Sequence, residues 1–192
     1  MFRPSYPIET ERLLLRPFSD DDFEALLAIH SRPDVARYLY WEPRSPAEAR
    51  RALDERLEMT EVEKEGDGIN LAVIRRDTGA MIGEVNLVWQ SEEYQQGELG
   101  FLIHPDHGGH GFATEATEAM LALGFEGVGL HRIFGNCDPR NAPSARLMER
   151  LGMRLEAHLI ENEFVKGEWQ SELDYAILDR EWRASRGNAR DR

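Results

Sequence analysis

The run His104-Pro105-Asp106-His107-Gly108-Gly109-His110-Gly111-Phe112-Ala113-Thr114-Glu115-Ala116 constrains this chain more than any other stretch. Just upstream, Glu98 to His104 reads as a short apolar strand. Downstream, Phe112, Ala116, Ala119, Met120 and Leu123 recur at helical spacing until Gly127 offers a stop. A glycine-rich loop therefore joins a strand to the first turn of a helix. Unpaired backbone N–H groups and the positive end of the helix dipole suit such a turn to an anion, and missing side chains let a phosphate approach; a plain turn before a helix fits the glycines equally well. No Gly-Lys-Ser/Thr follows, which excludes a P-loop, and Phe112-Ala113-Thr114 breaks the third glycine of the dinucleotide pattern.

The rest of the pattern predicts one domain over residues 1–186, with 187–192 as a disordered tail. Glu11 to Phe18 reads as a strand, and Ser19 with Asp22 as a capping box opening a helix through Ile29. Ser45-Pro46-Ala47-Glu48 combines an N-cap, a first-turn proline and an acid, opening a helix to about Glu61. Asn70–Arg76 and Met81–Trp89 form a hairpin around Asp77-Thr78-Gly79. A strand Gln95–Ile103, a helix to about Glu126, a strand His131–Cys137 and a helix Asn141–Arg150 follow. A second hairpin, Met153–Val165 with Glu168–Leu178, closes the chain. The expected fold is α+β: a mixed, mostly antiparallel central sheet of about seven strands flanked by helices.

A chain of 192 residues that is 41% hydrophobic can bury one substantial core. No run of eighteen apolar residues and no signal pattern is present, so no membrane partner is expected. The lone Cys137 points to a reducing cytoplasm. A formal net charge of −13 argues against nucleic acid as a partner and is compatible with cationic amines or basic peptides.

The glycine-rich segment resembles the acyl-CoA signature of the GNAT superfamily of N-acetyltransferases, Q/R-x-x-G-x-G/A. Gly111-Phe112-Ala113 matches its end, and Gly108 stands where Gln or Arg is the rule. The longer string G-x-G-F-A-T-E-A is similar to the ribosomal-protein N-terminal acetyltransferases and their relatives (RimJ/RimL-like), which are permissive at that position. Asp138-Pro139-Arg140-Asn141-Ala142-Pro143-Ser144 with Leu151-Gly152-Met153 resembles the N-x-x-S…L-G-F element of that branch. Thr10-Glu11-Arg12-Leu13-Leu14-Leu15-Arg16-Pro17 resembles its first strand. Arg37 to Pro43 and Lys166 to Trp169 extend the likeness over nearly the whole chain.

The resemblance implies the acyl-CoA N-acyltransferase fold, acetyl-CoA as cosubstrate, no metal, and a possible homodimer. It implies that Gly109, His110, Gly111, Phe112, Ala113 and Thr114 hold the pyrophosphate. The backbone of Phe101, Leu102 and Ile103 is then to take the pantetheine arm and the acyl oxygen, where family members splay from the next strand. Many members carry a tyrosine as proton donor where this chain has Met148. Ser144 is the remaining hydroxyl and Asn141 is to bond the pantetheine, both counted with Met148 among the cofactor-binding residues. The two serve equally well as a helix cap and a first-turn residue.

Acetyl transfer needs a neutral nitrogen. An α-amino group near ~8 is partly neutral at pH 7, whereas a lysine-like amine near ~10.4 is not. Glu98 and Glu84 are the candidate bases, with Glu98, Gly100 and Leu102 on one strand face; a solvated edge residue is the alternative for either. Tyr38, Tyr40 and Trp41 follow the first helix, where the family places substrate contacts; an aromatic plug over the core fits equally well. His104, His107 and His110 recur at every third position but lie in or beside a glycine-rich loop without cysteine, against a metal site. The expected activity is acetyl transfer to a primary amine, a protein N-terminus or a small amine, by direct attack in a ternary complex. The rival is a catalytically silent acyl-CoA-binding regulatory module, because the Gln/Arg and Tyr positions are both replaced.

Overall fold

The computed structural model describes the backbone of residues 1–190 and the side chains of residues 1–186. The strands are β1 (Ile8–Glu9), β2 (Leu13–Pro17), β3 (Gly68–Arg75), β4 (Met81–Ser91), β5 (Gln96–Ile103), β6 (Arg132–Cys137), β7 (Arg154–Val165) and β8 (Glu168–Leu178). They form one sheet in the order β1-β2-β3-β4-β5-β6-β8-β7, antiparallel everywhere except between β5 and β6. The helices are α1 (Phe23–His30), α2 (Pro33–Ala36), α3 (Pro46–Glu58), α4 (Phe112–Ala122), α5 (Ala142–Arg150) and α6 (Asp179–Arg190).

Strand alternation sorts the core into two layers. Leu13, Leu15, Leu71, Val73, Val85, Leu87 and Leu99 pack with Phe112, Ala116 and Met120 of α4 and Leu147 of α5. On the opposite face Ala72 and Ile74 meet Phe18, Leu26 of α1 and Leu53 of α3. The cap at Ser45 forms as its sequence predicts: its hydroxyl accepts from the Glu48 amide, and Glu48 answers to the Ser45 N–H. Asn141 accepts from the Ser144 amide at 3.3 Å and starts α5.

The expected mostly antiparallel sheet flanked by helices is present, and three details refine it. The sheet has eight strands rather than about seven, because Ile8–Glu9 folds back on Leu14–Leu15 and the expected strand 11–18 shortens to Leu13–Pro17. The helix expected to reach Glu126 leaves α geometry at Ala122 and finishes in a wider π turn, Leu123–Val128, stopped by Gly129 at φ 81°. The expected tail 187–192 falls partly on α6, whose backbone continues to Arg190; residues 191–192 lie outside the described residues.

The feature that positions everything else is a split in the sheet. β5 and β6 pair only at Gln96↔Arg132, Gly97↔Ile133 and Glu98↔Phe134. Beyond Glu98, β5 stays with β4 as far as Gly83↔Ile103, while β6 leaves with β8 as far as Cys137↔Leu173. The two strands therefore open like a wedge with its apex at Glu98, in the one parallel junction, where the chain must cross over through α4.

Candidate active site

One lip of the wedge offers free backbone. A Cβ on Gly135 of β6 would come within 3.1 Å of the Leu99 carbonyl oxygen, so Leu99 points its backbone into the opening. The two-residue repeat of a strand sends the N–H and C=O of Phe101 and Ile103 the same way. Leu102 is a correction to the expected set. Its carbonyl faces the β4 strand at Gly83, so its backbone belongs to the β4 ladder and not to the opening. Met148 forms the floor: it is only 1% exposed, and its Sδ would lie 3.4 Å from a Cβ on Gly135. It closes the wedge from below rather than lining an open channel.

At the wide end of the wedge the glycine loop turns into α4. Gly109 and Gly111 take φ 78° and 80°, the left-handed region that a side chain resists, and Gly111 is the N-cap of α4. His110, between them, is exposed, as are both glycines. Phe112 instead turns inward at 7% exposure, so only its amide is available to a ligand. Ala113 and Thr114 are half-buried in the first turn. His104 and His107 approach edge-on with ring centroids 5.9 Å apart, while the His110 ring lies 6.0 Å from Phe112.

Two stretches a hundred residues apart in sequence meet here. Glu115 accepts from the Thr10 hydroxyl at 2.5 Å, from the Arg12 amide at 2.7 Å and from Arg12 Nε at 2.7 Å. Arg12 also donates to the His110 carbonyl at 2.9 Å, and the guanidinium groups of Arg12 and Arg75 lie 4.8 and 5.1 Å from the Phe112 ring centroid. The loop is thus braced from the start of β2 and from β3, and two cations stand beside the amides at the start of α4. Sequence reasoning missed both arginines as part of the site, although Arg12 sat in the quoted first-strand string.

The opposite side of the sheet carries the proposed acceptor groups. Glu98, at the apex, is half-buried and accepts from Gln90 Nε2 at 2.6 Å. Burial pushes its carboxyl above the ordinary range, against a smaller opposing pull from Gln90. Tyr40 is 57% exposed and donates to Glu172 at 2.6 Å. Burial and then Glu172, Glu163 and Glu98 raise its phenol. Tyr38 and Tyr40 line a narrow pocket with Asp138, Asn162, Glu163, Gln170, Ser171 and Glu172. The pocket exists because β7 bulges: Leu159 pairs with Glu172 and the next partner of β8 is Glu163 with Gln170, leaving 160–162 looped out. Glu163 and Glu172 are both groups that the sequence reading did not single out.

Glu84 is a second correction. It is 6% exposed, and Arg56 grips it through Nη2 at 2.9 Å and through Nε, while His30 Nε2 lies 3.0 Å away. Burial alone would raise its carboxyl, but Arg56 and His30 prevail and hold it down at about 2. A carboxylate so saturated with donors is a poor base. Trp41 stacks on this cluster, its ring centroid 4.9 Å from that of His30. Ser144 is half-buried in the first turn of α5 and gives its backbone N–H to the cap, leaving the hydroxyl out of that bond.

This geometry can be set beside known proteins. The family described as "Acetyltransferase (GNAT) domain" matches residues 12–154. The Bacillus subtilis (strain 168) protein "Uncharacterized N-acetyltransferase YnaD" is 32% identical over 176 residues, covering 91% of this chain and 98% of that one. A "Spermidine N(1)-acetyltransferase" of Vibrio cholerae serotype O1 is 25% identical over 167 residues, covering 87% of this chain and 93% of its own. The crystal structure of a GNAT-family acetyltransferase from Bacillus anthracis superposes with a TM-score of 0.81 at 31% identity, over 94% of this chain and 100% of that one. The wedge, the glycine loop and these matches agree: the chain belongs to the GNAT acetyltransferase family, enzymes that carry the acetyl group of acetyl-CoA to an amine.

Proposed function

We propose that the acceptor is a small polycationic amine of the spermidine type, acetylated by direct attack in a ternary complex. The observation that carries this reading is the carboxylate-lined pocket of Tyr38 and Tyr40, with the charge of Glu98 near enough to be felt by the Tyr40 phenol. Carboxylates gathered around one pocket attract a second positive charge on the acceptor, and burial with Asp174 and Glu163 nearby already raises the Glu172 carboxyl. The 25% identical spermidine acetyltransferase lends support from sequence.

Acetyl-CoA supplies the activated acetyl group. The amides from Gly109 to Thr114, with Arg12 close by, suit the pyrophosphate. The backbone of Phe101 and Ile103 suits the pantetheine arm, and the Phe101 N–H is placed to hold the acyl oxygen. Glu98 takes the proton from the attacking nitrogen, and its raised carboxyl suits that task. The Ser144 hydroxyl, with Asn141 beside it, supplies the proton for the departing thiolate. Trp41 forms the outer wall for the acceptor with Tyr40.

The finer RimJ/RimL-like assignment rests on the Thr10–Pro17 and Gly111–Ala116 strings, which the Arg12–Glu115 pair brings together. Self-association belongs to the same reading, since β7 is an edge strand that exposes Leu155, Ile160 and Phe164. A cytoplasmic home fits the single buried Cys137, whose thiol burial pushes up to about 11. No helix among the described residues is long and apolar enough to cross a membrane.

The test is thiol release from acetyl-CoA with spermidine, with a peptide bearing a free N-terminus, and with neither. Spermidine should accelerate release well above the acceptor-free rate. Acceleration by the peptide alone overturns the polyamine reading, and acceleration by neither returns the chain to the silent module.

A further inference from the structure

We infer that His30 is a positioning residue for the acceptor, because it fastens the segment carrying Tyr38, Tyr40 and Trp41 to Glu84 in the sheet. The inference rests on the proposal that this segment walls the acceptor site. His30 ends α1 and is 0% exposed. Its Nδ1 lies 3.1 Å from Arg44 Nη1, and its Nε2 lies 3.0 Å from Glu84 Oε1. A guanidinium can only donate, so Nδ1 must accept; a carboxylate can only accept, so Nε2 must carry the proton. The ring thereby joins a donor on the loop to an acceptor on β4, which no simple apolar residue can do. The same loop is tied to His30 twice more. The Arg44 amide donates to the His30 carbonyl at 3.0 Å, and Trp41 is enclosed by the His30 ring at 4.9 Å and the Arg44 guanidinium at 4.5 Å.

Arg56 completes the anchor from α3. It binds Glu84 through two nitrogens and donates to the Ala52 carbonyl at 2.8 Å, so the carboxylate cannot swing toward the loop or away from it. The outer edge of the segment has separate ties: Tyr40 to Glu172, and Lys166 Nζ to the Ala36 carbonyl at 2.6 Å. Trp41 is therefore placed by a clamp that begins inside the sheet, on the strand next to β5. Residues that never meet the amine set where its wall stands.

The experiment compares His30→Leu, His30→Asn, His30→Gln and Arg44→Met, using spermidine as the acceptor probe. Amide hydrogen exchange over residues 37–44 reads the clamp, and KM for spermidine against KM for acetyl-CoA reads its consequence. Asn places an acceptor near the Nδ1 position and keeps Arg44; Gln places a donor near the Nε2 position and keeps Glu84. Arg44→Met cuts the clamp from the loop side and covers the case in which His30→Leu fails to fold. His30→Gln and Arg44→Met should speed exchange in 37–44 and raise the spermidine KM about tenfold, with acetyl-CoA nearly unaffected, while His30→Asn stays closer to the parent. Unchanged exchange in Arg44→Met overturns the clamp itself. Faster exchange with an unchanged spermidine KM, repeated in Trp41→Ala, overturns the acceptor wall instead, and with it the positioning role.

Discussion

Glu84 and Glu98 lie on neighbouring strands, point to the same side of the sheet, and look alike as candidate bases in the sequence. Their surroundings set them apart. Glu84 is buried among donors: the Arg56 guanidinium and the His30 Nε2–H take its oxygens and hold the carboxyl down at about 2. Glu98 is half-buried with one neutral partner, Gln90, and burial moves its carboxyl the other way. The closed cluster is built to hold an ion pair, and the open one keeps a lone pair available. What distinguishes them is which partner residues arrive from α1 and α3, because both are glutamates on adjacent strands.

The comparison breaks most visibly in a pair of isosteric changes. Glu98→Gln should lower kcat by about 10²–10⁴-fold, the range for loss of a general base, with little change in melting temperature. It should also abolish the acid limb of the pH–rate profile, which the raised carboxyl places above the ordinary carboxylate range. Glu84→Gln should do the reverse, costing about 3–5 kcal/mol of stability by leaving Arg56 uncompensated in the interior. Because the folded carboxyl of Glu84 lies below its ordinary 4.5, its contribution is complete above that pH and is lost as pH falls toward about 2. Denaturant melts across that window, run beside steady-state kinetics, check both halves. A large rate loss without destabilisation in Glu84→Gln would reverse the assignment.

Ser144 offers a smaller and cleaner contrast. The cap of α5 uses the Asn141 side chain and the Ser144 backbone N–H, and alanine keeps that N–H. Ser144→Ala should therefore cost under about 1 kcal/mol while lowering kcat about a hundredfold, if its hydroxyl protonates the thiolate. Met148→Tyr offers no simple rescue, since Met148 is only 1% exposed and a phenol there must displace packed core. Near-normal kcat in Ser144→Ala would leave water as the proton source.

Local chemistry made much of this readable in advance. Ser45 and Asn141 cap helices because of what stands three residues on, and the glycines at 109 and 111 take the left-handed conformations that such a loop needs. The wedge could be expected only from resemblance, since no property of Leu99 to Ile103 says where a parallel neighbour will leave. The fate of Glu84 was invisible because its partners, His30 and Arg56, stand 54 and 28 residues away. The carboxylate pocket needed the β7 bulge, and a long alternating strand gives no sign of where it will loop out. What stayed hidden was long-range pairing, and here it decides which polar side chains are free to act.

The finest test of the open cluster is Gln90→Leu. Gln90 is exposed and donates to Glu98 at 2.6 Å, the one hydrogen bond among the described residues that steadies the ionised form against burial. Removing it takes away the downward pull and leaves desolvation unopposed, so the Glu98 carboxyl should rise further. If Glu98 is the base, the acid limb of kcat/KM must shift to higher pH in Gln90→Leu while the plateau rate holds. Stability should barely move, because Gln90 itself is exposed. A limb that stays in place would mean that some group other than Glu98 titrates in the profile. A limb that moves to lower pH would mean that Gln90 acts on the acceptor and not on the carboxylate.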